Sequence, residues 1–178
     1  SDLVHVRRIP LAVAITLVIT SVTGCGSKGL SKSDRAVADS LAAYAITQSD
    51  GVWRKREAQC MAEQFVESTG VPALKEAGLV SARGTAVPAK VTMTKPVAEH
   101  FADAVLACID FADLMSRQIA NARPDIDTAK FTACVRKSVT EKQARARLVA
   151  QQMNDSKSAA LKATNAALLD CAEQATAG

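Results

Sequence analysis

The sequence predicts an all-α protein, a disulfide-stapled helical bundle built from a duplicated helical unit. Three observations carry that expectation. Alanine and other helix formers dominate a chain that is 48% hydrophobic yet only 3% aromatic. Apolar residues recur at spacings of three and four, with strand-like alternation confined to a short piece around Val87 to Thr94 that reads as a loop. Four of the five cysteines fall in segments that can be laid over one another in pairs.

Taken in chain order, the first helix spans residues 33–48, with Val37, Leu41 and Tyr44 on one side. The next carries Cys60 and ends at Gly70, Val71 and Pro72, and a short helix after it ends at Gly78. Residues 95–120 read as one long amphipathic helix, opened by Thr94 and Pro96, whose stripe is Phe101, Val105, Cys108, Ala112, Met115 and Ile119. Thr140 and Gln143 have the spacing of a capping box. Residues 157–175 form the last helix, with Leu161, Leu168, Cys171 and Ala175 on its apolar side.

The repeat sets Ala58-Gln59-Cys60-Met61 over Thr132-Ala133-Cys134-Val135, which brings Leu74 onto Leu148. The halves meet again at Ala104 to Cys108 and Ala167 to Cys171, so the pseudo-repeat units cover about residues 54–110 and 128–175. The competing reading is a coincidental match among Ala-rich helices. Four cysteines allow three connectivities, and sequence alone does not choose among them. If each unit is clipped internally, Cys60 pairs with Cys108 and Cys134 with Cys171; a bridge across the units, such as Cys108 to Cys134, is the alternative.

The amino-terminal region points to a compartment. Arg7 and Arg8 precede an apolar run over residues 9–22, and the run closes on Val22-Thr23-Gly24-Cys25. A membrane-spanning helix needs about twenty apolar residues, so this run fits a cleaved signal better than a permanent span. The arrangement resembles the signal peptide and lipobox of bacterial lipoprotein precursors, and a lipobox followed by Cys-bearing helices looks like small envelope lipoproteins of actinobacteria. The likeness is loose beyond the first 25 residues and brings no functional residues with it. It implies a signal peptide over residues 1–24, cleavage before Cys25 and lipidation of its thiol. The product would be tethered to the extracytoplasmic side of the cell membrane through that lipid anchor. Lipidation also leaves an even set of four cysteines. Arg7 and Arg8 raise a twin-arginine export signal as an alternative, against which Pro10 stands where a large apolar residue is preferred. Residues 25–33, rich in Gly and Ser, read as a flexible tether and residues 34–178 as one helical domain.

Charge and chemistry exclude more than they assign. The formal net charge of +4 is modest, and the signal segment takes two arginines and one aspartate with it, so nucleic acid is not an expected partner. Of two histidines only His100 lies beyond the signal segment, too few for a zinc site or a Ser/His/Asp triad, and no Gly-rich phosphate loop occurs. No catalytic residue, cofactor or metal is assigned, and the chain is not expected to be an enzyme. Glu99, Asp103, Asp110 and Asp113 fall within about 80° on one wheel, an acidic face for a partner or a solvated face with Asp113 pairing to Arg117. Lys130, Arg136, Lys137, Lys142, Arg145 and Arg147 form a basic segment that reads as general solvation. Trp53, the single tryptophan, sits among Arg54, Lys55 and Arg56 and is a candidate contact with a partner or the lipid interface.

The expected function is a non-enzymatic binding or assembly module of the cell envelope, with an envelope protein or lipid as partner. One alternative is a carrier or sensor for an apolar ligand, opening around Phe65, Phe101, Phe111 and Phe131. Another is an inhibitor of an envelope enzyme.

Overall fold

Eight helices follow one another in the computed structural model, which describes residues 29–176. The signal segment and Cys25 lie outside the described residues. The helices are α1 (Lys32–Gln48), α2 (Lys55–Thr69), α3 (Val71–Glu76), α4 (Lys95–Cys108), α5 (Phe111–Ala122), α6 (Thr128–Ser138), α7 (Glu141–Gln152) and α8 (Ala159–Thr176). One antiparallel bridge, Val80 with Ala86, is the only extended pairing among the described residues.

Local chemistry sets most of the ends. Ser31 caps α1, its Oγ accepting from the Asp34 amide at 3.1 Å, so the helix starts at Lys32 and takes the last two residues assigned to the tether. Gly70, at φ 80°, separates α2 from α3. The expected capping box at Thr140 opens α7: the Gln143 amide donates to Thr140 Oγ1 at 3.3 Å, and the Thr140 amide donates to Gln143 Oε1 at 2.8 Å. Asp127 caps α6 by accepting from the amides of Ala129 and Lys130.

The single long helix expected over residues 95–120 is two helices. Ile109 and Asp110 are extended between α4 and α5, and the Asp110 carboxylate accepts from the Asp113 amide at 2.9 Å as a new N-cap. An aspartate offers the backbone this alternative to continuing a helix. The break escapes a periodicity argument because Ile109, Phe111, Ala112 and Met115 are all buried, so the apolar register resumes on the far side.

The helices pack in the spatial order α1, α2, α4, α7, α8, α6, α5 around one continuous apolar cluster. Close approach of the first three rests on small side chains. Ala38 of α1, Ala58 and Ala62 of α2, and Ala98 and Ala102 of α4 are all fully buried, which lets helix axes come together at the short end of the usual range. Cys60 is bridged to Cys108, linking α2 to α4 with Cα atoms 5.8 Å apart; Cys134 is bridged to Cys171, linking α6 to α8 at 5.5 Å. Each bridge therefore closes inside its own three-helix segment.

Candidate functional site

The four carboxylates singled out from the sequence do not make a free acidic face. The break at Ile109 gives them different surroundings, and each group meets basic residues from the second half of the chain. Asp103 accepts from Arg145 Nε at 2.6 Å and Nη2 at 2.9 Å. Those hydrogen bonds hold its carboxyl below the usual carboxylate value. Glu99, one turn earlier on α4, adds to the field that holds Arg145 protonated. Asp110 and Asp113 both meet Arg136 of α6, at 3.4 and 2.9 Å. Arg136 and Arg145 are thus ion-paired across helices rather than merely solvated.

The local pair expected between Asp113 and Arg117 is also replaced. Arg117 reaches Glu57 on α2 instead, Nη1 to Oε1 at 3.1 Å and Nη2 to Oε2 at 2.8 Å, with both side chains about one-fifth exposed. Glu57 accepts in addition from the Arg54 amide at 3.2 Å and so helps to start α2. A partner sixty residues away on a helix-wheel neighbour of the core is not visible in local spacing.

The feature with the character of a binding site is an apolar cleft of about 260 Å³ between α1, α2, α4 and the long α3–α4 connection. Met61, Phe65 and Met93 are buried in it, and Leu41, Tyr44, Trp53 and Phe101 are half-buried around them. The Phe65 and Phe101 rings meet edge to face, centroids 5.4 Å apart at 81°, a favoured aromatic geometry. Four of the chain's six aromatic side chains meet here. Behind Phe101, Thr69 Oγ1 and His100 Nδ1 lie 3.3 Å apart, which gives the histidine a structural neighbour.

Backbone bonds fix the connection that walls the cleft. The Val87 amide donates to the Leu79 carbonyl, the Ala86 amide to Ser40 Oγ at 2.9 Å, and the Met93 amide to the Gln152 carbonyl at 3.0 Å. Gly84, at φ 84°, makes the turn between them, and a Cβ there would stand 3.2 Å from a methyl of Val37 on α1. The loop read from Val87 to Thr94 is therefore tied to α1 and α7.

The sequence placed Trp53 at a surface contact and named Phe65 and Phe101 as part of one interior opening. The structure joins these three at the cleft and adds Tyr44, read from the sequence only as part of the apolar side of the first helix, and Met93, which no spacing singled out. It separates the other two phenylalanines: Phe131 is buried on α6, and Phe111 is buried at the start of α5 with the Arg147 guanidinium carbon 5.8 Å from its ring centroid. Trp53 and the acidic residues do not share a site.

Among the described residues no group of His, Cys, Asp and Glu is gathered as metal ligands, and no helix is long and apolar enough to cross a membrane. No known protein family, curated protein or solved structure matches the chain.

Proposed function

We propose that the chain is a lipid-anchored extracytoplasmic binding module that takes an apolar group into the aromatic cleft. The cleft itself is the observation that carries the reading: a chain with so few aromatic residues gathers Tyr44, Trp53, Phe65 and Phe101 at one half-open, apolar place. Half-buried apolar side chains concentrated in this way mark interaction sites. The volume exceeds the ~150 Å³ that holds benzene in an engineered cavity and falls just short of the ~300 Å³ typical of larger ligands. A small apolar group or one alkyl chain fits that space. The lipobox-like Val22-Thr23-Gly24-Cys25 and the two disulfides support an envelope location, where thiols oxidise. The ion pairing of Asp103, Asp110 and Asp113 within the chain disfavours the acidic face as the docking element.

The same proposal includes a duplicated origin for α2 to α4 and α6 to α8. Its support is that each bridge joins the first helix of a segment to the third, and that the matched Leu74 and Leu148 are both buried on the middle helix.

Two experiments test the function. Cys25→Ser should move the protein out of the membrane fraction; a cleaved but still membrane-bound variant would refute lipidation. Titration of the purified protein with decanol should shift Trp53 emission to shorter wavelength, and Leu41→Arg should remove the shift. An emission that does not respond to decanol would refute the cleft as the binding element.

A further inference from the structure

A second groove, of about 350 Å³, lies between α5, α6, α7 and α8. Met115, Ile119, Phe131, Leu168 and Leu169 line it. Leu169 is 66% exposed, the largest uncovered apolar surface of any big side chain among the described residues. No carboxylate lines this groove, but Arg147 does.

Arg147 differs from the arginines around it. Arg117, Arg123, Arg136 and Arg145 each hold a carboxylate within 3 Å. Arg147 is half-buried, and its partners are neutral: Nε donates to Asn165 Oδ1 at 3.1 Å, Nη1 to Gln151 Oε1 at 3.2 Å, and the guanidinium carbon lies 5.8 Å from the Phe111 ring centroid. Among the described residues Nη2 meets no acceptor, and it is not sealed off from solvent. Burial lowers the pKa of the group, yet a guanidinium stays protonated at any ordinary pH. A half-buried cation without a counter-charge is costly, and an anion brought to Nη2 would offset that cost through a charge-assisted hydrogen bond.

We propose that this groove binds a single-chain fatty acid, its alkyl chain against Met115, Ile119, Phe131, Leu168 and Leu169 and its carboxylate on Nη2 of Arg147. One unpartnered guanidinium nitrogen suits one carboxylate oxygen. The volume lies near the lower end of small-molecule sites, which start at about 300 Å³, and accommodates one chain rather than two. The apolar wall accounts for the exposure of Leu169, which the chain would cover. This site is independent of the aromatic cleft and shares no lining residue with it.

The test uses the full chain in its membranes, photolabelled with decanoic acid carrying a terminal diazirine and, in parallel, with the corresponding decanol. Labelled peptides are then mapped. The acid should label α5 and α8 severalfold more than the alcohol does. Arg147→Met, which keeps the apolar stem, should lower acid labelling there by about tenfold, the effect of losing one charged hydrogen bond, and leave alcohol labelling unchanged. Arg147→Lys should restore most of the preference. Equal labelling by acid and alcohol, absence of label on α5 and α8, or an Arg147→Met protein that labels like the parent would overturn the proposal. If Arg147→Met does not keep the parent Trp53 emission, Leu169→Glu provides the same reading: a carboxylate at the exposed rim should repel the acid, and undiminished acid labelling would overturn the assignment. Label on α1 and α2 peptides reports the aromatic cleft alone, so the two sites succeed or fail separately.

Discussion

The two disulfide-clipped segments, α2 to α4 and α6 to α8, use their bridges differently. In the first, α2, packed between α1 and α4, buries Ala58, Met61, Ala62, Phe65 and Val66, and α4 buries Val97, Ala98, Ala102, Ala104 and Val105. Cys60 and Cys108 are only half-buried at the margin of that contact. In the second, α6 buries only Phe131 and Val135, and α8, which packs on both α6 and α7, buries Thr164, Cys171, Ala172 and Ala175. Cys171 is fully buried, so its sulfur is itself part of the core. The first bridge clips a contact that side chains already make. The second supplies part of the contact.

Removing the bridges tests this difference most strongly. The loops they close are similar, 48 and 37 residues apart in sequence, and on the chain-entropy model each contributes about 4 kcal/mol. Loop length therefore predicts nearly equal losses of stability. Cys134→Ala with Cys171→Ala should cost more than Cys60→Ala with Cys108→Ala, because it also leaves a cavity where the fully buried Cys171 sulfur was. Hydrogen exchange in the Cys134/Cys171 variant should quicken mainly in α6 and α8. Equal melting temperatures for the two double variants would break the comparison.

An intermediate effect is expected where the first segment is joined to the helix between the two. Arg117 on α5 and Glu57 on α2 form a two-pronged, largely shielded ion pair, and Arg117 Nε lacks a hydrogen-bond partner. Truncating Arg117 leaves Glu57 half-buried with only the Arg54 amide and the Arg54 guanidinium at 3.9 Å, and truncating Glu57 leaves Arg117 half-buried without its carboxylate. Arg117→Met should destabilise by about 1 to 3 kcal/mol, more than an exposed pair contributes and less than a fully buried one. Chemical denaturation should show much of that loss removed when Glu57→Gln is combined with it. Strict additivity of the two substitutions would place Arg117 outside any coupling between α2 and α5.

The helical character of both segments was legible because amphipathic spacing and capping residues are local properties. Thr140 with Gln143 marks a helix start from four consecutive positions, and Gly70 marks a stop from one. The division at Ile109 was not legible, because an apolar register that resumes after two extended residues has the same periodicity as an unbroken helix. Long-range partners were hidden for a related reason. Glu57, Arg136 and Arg145 have chain-distant neighbours, and nothing in their local spacing selects those neighbours. The aromatic cleft lies between these extremes. Trp53, Phe65 and Phe101 could each be noticed by type, but their convergence depends on how the α3–α4 connection folds back over α1, held by Ser40 and Gln152.

The smallest effect belongs to the seam between the segments, where α4 packs on α7 and Asp103 meets Arg145. Both side chains are substantially exposed, at 54% and 40%, so solvent screening keeps the pair below about 1 kcal/mol. Its pH dependence is nevertheless directional. The Arg145 hydrogen bonds lower the Asp103 pKa from the ordinary value of 3.8, so the folded state binds this proton less tightly than the unfolded state. The resulting stability is fully present above that ordinary value and is lost as pH falls through the depressed one. Asp103→Asn should therefore melt slightly below the parent at neutral pH, and the two proteins should converge in the acid range below 3.8. Added salt should narrow the neutral difference, since both charges face solvent. A gap that persists unchanged in acid would assign the loss to side-chain fit between α4 and α7 instead of charge, and would make the seam a packed contact like the one between α2 and α4.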